Sequence, residues 1–267
     1  MPTLKRLHDY WHANARAHAR EVIDASPFTL YLGTEADPRY TERDASYNVV
    51  IANDDADLDL ASLLAQIRAR VRASARPTHI EIIEELFPRL SAALVPRGFL
   101  VVVREPLLVC TPAMLRPVTD IPGLTYITLT RDSPMPEIRE GMDVNERGFD
   151  PGFVGPTSEQ DAERFRRTLG AARAFTARQD GVAAAAGMHN VPFDGVTRLV
   201  GIATLEPFRR RGIAAALTAQ ITRSAFDSGV DLAFLAAASD DAQRVYERIG
   251  YRVAGTIVGL DDRIVGT

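Results

Sequence analysis

Cysteine is nearly absent from this chain of 267 residues: Cys110 stands alone. That excludes an internal disulfide framework and any metal site built on paired thiolates. Its surroundings, Pro106-Leu-Leu-Val-Cys110, form a short apolar run, so the thiol is expected to be a buried hydrophobe and not a nucleophile. Long hydrophobic runs are missing too. No stretch of about 18 apolar residues could cross a bilayer, and Met1 to Tyr10 lacks the apolar segment of a secretory signal. A cytoplasmic location is expected, with no membrane partner. Basic excess is lacking as well: 31 Lys and Arg against 35 Asp and Glu leave a formal net charge of −4. This argues against a general nucleic-acid binder, which displaces counterions with cationic surface. The five histidines, His8, His12, His18, His79 and His189, show no H-E-x-x-H spacing. His8 and His12 stand at i, i+4 on a predicted helix and read as a solvated face, so no metal is expected. No G-x-x-x-x-G-K-[ST] occurs, which disfavours a P-loop kinase or nucleotidase.

What is present is the composition of a globular protein, 46% hydrophobic and 25% charged. Pro112, Pro117 and Pro122 punctuate a stretch without periodicity, and the expected division is into residues 1–115 and 123–267. The first part reads as a helix over 4–23, strands at 28–32 and 47–52, and a helix over 58–72. A strand at 78–83, a helix over 85–95 and strands at 100–104 and 107–110 follow. The second part opens with a strand at 124–130, a polar region rich in Pro and Gly, and a helix over 158–169. A hairpin (174–178 and 182–190) flanks Gln179-Asp-Gly181, and Asp194-Gly195 precedes a strand at 197–205. A helix (212–228), strand (231–237), helix (240–249) and strand (251–258) close the chain.

Both parts end in helix, strand, helix, a glycine-aromatic pair (Gly98-Phe99 and Gly250-Tyr251) and a strand, which suggests an internal repeat. The first copy has Asp54-Asp55 and Asp57 where the second has arginines, and Leu94 where the second has Tyr246. Acidic side chains repel phosphate, so only the second copy is expected to bind one.

The chemistry concentrates in Thr204-Leu-Glu-Pro-Phe-Arg-Arg-Arg-Gly-Ile-Ala-Ala-Ala-Leu217, a strand that passes through a basic turn into an Ala-rich helix. A helix start leaves N–H groups unpartnered and carries partial positive charge, so it cradles phosphates. Gly212 and Ala214 allow close backbone approach, and Arg209, Arg210 and Arg211 add cationic donors.

Arg209-x-x-Gly212-x-Ala214 resembles the R/Q-x-x-G-x-G/A acyl-CoA signature of the GNAT superfamily of N-acetyltransferases. Ser239-Asp-Asp-Ala-Gln-Arg-Val-Tyr-Glu-Arg-Ile-Gly-Tyr251 is similar to that family's N-x-x-A-x-x-L/V-Y-x-x-x-G-F/Y segment. Ser239 stands where Asn is frequent, and Pro207 lies one position later than the usual proline, with Glu206 in its place. The resemblance covers roughly 123–258, and the N-terminal part looks like a degenerate GNAT-like unit. It implies an α/β (α+β) fold with a mixed central sheet flanked by helices, in a tandem two-domain arrangement.

The resemblance also implies that the thioester of acetyl-CoA is attacked directly by an amine, whether small molecule or peptide. The cofactor would be held by backbone N–H groups from Arg210, Arg211, Gly212, Ile213 and Ala214, by the arginine side chains, and by Ser239, Ala242 and Tyr246. Strand residues Ala203, Thr204 and Leu205 would pair with the pantetheine arm, and the Leu205 N–H would be the oxyanion donor. Tyr246 is the candidate general acid. Glu206 is the first candidate base, with His189 and Asp194 as alternatives. Acidic residues Glu137, Glu140, Asp143 and Glu146 fall where the family binds its acceptor. A monomer or homodimer is expected, the repeat favouring a monomer. A non-catalytic acyl-CoA-binding regulatory protein is the alternative.

Overall fold

Runs rich in Val, Ile and Leu alternate with amphipathic helical stretches, and the chain divides into two units. The structure, a computed structural model, describes residues 2–19, 21–32, 49–54, 60–72 and 79–262. Unit 1 comprises Met1–Leu107 with Ala254–Thr267; unit 2 is Leu108–Val253. In chain order, unit 1 holds α1 (Pro2–His18), β1 (Glu21–Ala25), β2 (Phe28–Leu32), β3 (Val49–Ala52), α2 (Leu60–Arg72), β4 (His79–Ile83), α3 (Pro88–Leu94) and most of β5 (Phe99–Cys110). Unit 2 holds β6 (Leu124–Leu129), α4 (Met135–Phe149), α5 (Glu159–Thr168), β7 (Arg173–Gln179), β8 (Val182–His189) and β9 (Val196–Thr204). A short 3-10 turn (Glu206–Phe208), α6 (Ile213–Asp227), β10 (Leu232–Ala236) and α7 (Asp240–Arg248) complete it, and β11 (Arg252–Asp262) ends the described chain.

In unit 1, β1 and β2 form a hairpin, β2 pairs β3 antiparallel, and β3 pairs β4 in parallel. The free edge of β4 is taken by β11, antiparallel, with Ile257 opposite Ile83 and Asp261 opposite His79. Val258 and Leu260 are thereby buried against Ile80, Ile82, Leu64 and Leu90. The sequence placed residues 123–267 in one domain. An open strand edge needs a partner, and here the last strand supplies it, so its residues group with unit 1.

Three local expectations are corrected in unit 1. The first helix stops at His18, and Glu21–Ala25 is a strand, in keeping with the β-branched pair Val22 and Ile23. Strand β5 runs unbroken through Pro106. His8 and His12 are not a solvated face. The His8 Nε2–H donates to the Ala52 carbonyl at 2.6 Å, His12 Nε2 lies 3.1 Å from it, and His12 Nδ1 meets the Tyr31 hydroxyl at 2.5 Å. Burial pushes both imidazoles below their ordinary pKa, His12 to about 4, where the neighbouring His8 adds to the effect. Asp55 and Asp57 of the acidic stretch lie outside the described residues; Asp54 is exposed.

Unit 2 has strand order β10-β9-β8-β7-β6, antiparallel from β6 to β9, with β10 parallel to β9. Helix α6 packs on one face through Ile213, Leu217 and Ile221, together with Phe175, Leu199, Cys110 and Tyr251. Cys110 is fully buried, and desolvation pushes its thiol up to about 12. The polar region at 135–149 is a helix, α4, which the sequence reading did not resolve. Pro136, Gly141 and Gly148 lower its apparent propensity. Pro136 sits in the first turn, where proline costs no hydrogen bond, and Gly148 is required by packing: a Cβ there would lie 2.5 Å from that of Ala203.

Gly98 and Gly250 follow α3 and α7 with φ of 93° and 112°, and each leads a buried aromatic, Phe99 or Tyr251, into a strand. The two glycine-aromatic pairs therefore perform the same chain reversal in both units.

Candidate functional site

The site is built where β9 leaves its parallel neighbour. Pairing between β9 and β10 runs from Val196 opposite Leu232 to Arg198 opposite Phe234 and stops there, although β9 continues to Thr204. On the other side β9 stays paired with β8, Ala203 opposite Ala186 and Thr204 opposite Ala185, beyond a bulge at Gly201 and Ile202. Gly201 takes φ of 64°, and its carbonyl accepts Asn145 Nδ2 from α4 at 2.5 Å. A bulge bends its strand and breaks the ladder locally. The outcome is a strand whose last turnings toward β10 are open.

Which backbone groups face that opening follows from alternation along the strand. The Leu205 N–H donates to the Ala184 carbonyl at 2.9 Å, so Leu205 and, two residues back, Ala203 point toward β8. Leu205 is therefore not an available oxyanion donor, which corrects the sequence expectation. Thr204, between them, turns its N–H and carbonyl to the open edge. Its carbonyl accepts Arg209 Nε at 2.9 Å.

Beyond the 3-10 turn the chain bends twice through the left-handed region, at Arg210 (φ 63°) and Gly212 (φ 81°). The first helical bond of α6 is Ala216 N–H to the Gly212 carbonyl, and no side chain caps the helix. Among the described residues, the N–H groups of Arg210, Arg211, Gly212, Ile213, Ala214 and Ala215 have no backbone acceptor. This is a nest of donors at a positive helix end, suited to a phosphate. Gly212 serves its dihedral and not close packing, because a Cβ would meet only Ile121 Cδ1 at 3.5 Å.

The three arginines differ in employment. Arg209 Nη2 also donates to the Gly148 carbonyl at 3.2 Å, so this side chain ties the turn to the end of α4. The Arg211 guanidinium stands 5.6 Å from the Phe208 ring centre. Arg210 is exposed and is the one of the three whose guanidinium has no partner among the described residues.

Helix α7 supplies the second wall. Ser239 Oγ accepts the Ala242 N–H at 3.2 Å and so caps the helix, leaving its own O–H to donate. Tyr246 lies nearly buried beside Tyr251, ring centres 6.2 Å apart. Tyr251 is wholly buried, its hydroxyl bonded to Thr222 Oγ1 at 2.7 Å, and desolvation drives its pKa far upward. Tyr251 is a structural group, and Tyr246 is the phenol of this wall that retains some exposure.

The candidate bases are spread apart. Glu206 is exposed in the 3-10 turn. His189 is buried at the far end of β8, its Nδ1 against the Asn190 carbonyl, and burial lowers its pKa. Asp194 is exposed in the β8–β9 turn. Of the acidic set on α4, Glu140 pairs with Arg178 at 2.6 Å, and Asp143 accepts both the N–H and the hydroxyl of Thr157. Glu146 differs: it is half-buried, and desolvation first, then Asp150 and Asp143, raise its pKa. It adjoins Asn145, which grips the bulge. The bulge itself escaped sequence reading, and the signal for it was Gly201 inside an otherwise apolar strand.

Residues 143–251 match the acetyltransferase (GNAT) family. The chain carries a GNAT-family domain. The GNAT match opens in α4 and closes at Tyr251, spanning the bulge, the arginine turn and α7. Among solved structures, a GCN5-related N-acetyltransferase from Kribbella flavida is 26% identical, with 97% of this chain and 95% of that chain covered and a TM-score of 0.78. Two further GNAT proteins share the fold. One, from Sphaerobacter thermophilus, has 15% identity, coverage of 88% and 76%, and a TM-score of 0.63. The other is a tandem GNAT protein from the clavulanic acid biosynthesis pathway, with 13% identity, coverage of 88% and 77%, and a TM-score of 0.60. No curated protein matches. The GNAT fold supports acyl transfer in general. Among the described residues there is no group of three or more His, Cys, Asp or Glu that could hold a metal, and no helix long and apolar enough to cross a membrane.

Proposed function

We propose that this protein is an N-acetyltransferase that moves an acetyl group from acetyl-CoA to an amine by direct attack. The observation that carries this reading is the open edge of β9 running into a nest of unpartnered N–H groups. A pantetheine arm has amides to pair with such an edge and a pyrophosphate to occupy such a nest. Acetyl-CoA would lie with its pyrophosphate on residues 210–214 and its arm along Thr204, between β9 and α7. In place of Leu205, we assign the oxyanion to the Thr204 N–H, a fixed dipole of a kind worth about 3 kcal/mol in comparable sites.

The chemistry balances without a metal. The neutral amine nitrogen attacks the thioester carbonyl carbon, and the C–N bond forms as negative charge moves to oxygen. Collapse breaks the C–S bond, Tyr246 protonates the departing thiolate, and the proton that the attacking nitrogen gives up passes to solvent, from which Tyr246 is reprotonated. The ammonium proton must leave before attack, and a carboxylate of raised pKa accepts it better than an ordinary one. Glu146 meets that condition, and we place it ahead of Glu206.

Cofactor binding tests the reading directly. CoA is expected to raise the melting temperature, and Arg210→Glu with Arg211→Glu, both exposed, is expected to abolish the shift while leaving the fold intact. An undiminished shift in the double variant would sink the assignment of the turn.

A further inference from the structure

A second concentration of positive charge lies on unit 2, with no residue of the arginine turn in its lining. A cleft of about 560 Å³ is lined by Arg116, Arg244, Glu247, Arg248 and Arg252. Four guanidinium groups thus face one carboxylate in a protein whose net charge is −4. The local compensation is small. Arg244 Nη1 pairs with Asp241 at 2.9 Å on the exposed surface, where such pairs are weak. Glu247 is occupied with Gln243, whose Nε2 donates to it at 2.8 Å. Arg116, Arg248 and Arg252 form no ion pair among the described residues. Arg252 is nevertheless oriented, since its Nη1 donates to the carbonyls of Glu247 and Tyr251. The Arg116 backbone is fixed by its N–H to the Ile249 carbonyl at 2.9 Å.

From this we infer that the cleft is a second anion site, which takes a small ligand carrying more than one phosphate. Guanidinium forks match phosphate oxygens in pairs, and several converging on one cleft repel each other until a multivalent anion enters. The volume fits a small molecule. Helical geometry separates this site from the acyl-CoA wall. Arg244 and Arg248 are i, i+4 neighbours, and Tyr246, two residues from each, points about 200° away around α7. Tyr246 is in the core, whereas Arg244 and Arg248 are exposed. The two faces of one helix therefore address different ligands.

The probe is inorganic tripolyphosphate, titrated by calorimetry into the full chain at low ionic strength. Arg244→Ala with Arg248→Ala keeps good helix formers at exposed positions and is expected to weaken binding at least tenfold. Because the turn can itself take phosphates, the deciding background is the turn variant, Arg210→Glu with Arg211→Glu, which is expected to keep a tripolyphosphate site that Arg244→Ala with Arg248→Ala removes, whether or not the turn holds CoA. Saturating CoA is likewise expected to leave the tripolyphosphate affinity within about twofold. Absence of binding, equal binding by the Arg244/Arg248 variant, or loss of binding in the turn variant would overturn the inference. Displacement by CoA but not by dephospho-CoA would overturn it too, since the cleft would then hold the 3′-phosphate of CoA.

Discussion

At the scale of single residues, the site depends on which small groups remain unoccupied. Tyr246 is asked to protonate a thiolate. With ordinary values near 10 for a phenol and near 8.5 for a thiol, that transfer is uphill by about 2 kcal/mol unless the pocket offsets it. Tyr246→Phe is therefore expected to lower kcat tenfold or more with little change in acetyl-CoA affinity, measured by steady-state kinetics on an amine that turns over. An unchanged kcat would return Tyr246 to a packing role beside Tyr251. Glu146 makes a different demand. As a base it must be ionised, and because burial raises its pKa, kcat/KM should fall with acidification at a pH above the ordinary carboxylate range. Glu146→Gln is expected to remove that acid limb, and Glu206→Gln to leave it in place. The opposite assignment of the limb would restore Glu206.

At the scale of elements, the arginine turn, α6, α7 and the hairpin were legible because their signals are local. Arg209-x-x-Gly212 marks a helix start, Gly250-Tyr251 a helix end, and Gln179-Asp-Gly181 a turn. Helix α4 was not legible, because its glycines answer to Ala203 and Thr176 across the packing interface and not to helix propensity. Leu205 was misassigned for a related reason: which neighbour a strand N–H faces depends on register, set here by the bulge, and not on residue type. The inward turn of His8 and His12 on α1 is likewise a tertiary fact, fixed by the Ala52 carbonyl and the Tyr31 hydroxyl.

That turn has a measurable consequence. Both imidazoles have folded pKa values below the unfolded value of 6.5, so the unfolded chain binds more protons between about pH 4 and 6.5, and stability is lost as pH falls through that window. Melting temperature should drop between pH 7 and pH 5, and His12→Gln should flatten the drop. An equally steep loss in the variant would remove α1 from the explanation. His8 and His189, also buried with lowered pKa values, contribute with the same sign and supply the residual slope.

At the scale of the whole molecule, the division into units does not follow chain order, since Ala254–Thr267 belong with Met1–Leu107. Val258 and Leu260 are fully buried there, and burying such side chains is worth about 1.5–3 kcal/mol each. A chain ending at Val253 should lose protection from hydrogen exchange in β3 and β4, with the amides of α6 protected as before. Retained protection in β4 would show that β11 is dispensable to unit 1.

The pairing of β11 with β4 also sets a timetable for synthesis. The N-terminal sheet leaves the ribosome first, yet β11, which covers the edge of β4, is made only after unit 2. Unit 1 therefore waits with the edge of β4 uncovered while unit 2 emerges complete ahead of it. During that interval the exposed edge is what a chaperone, or a second nascent chain, would meet.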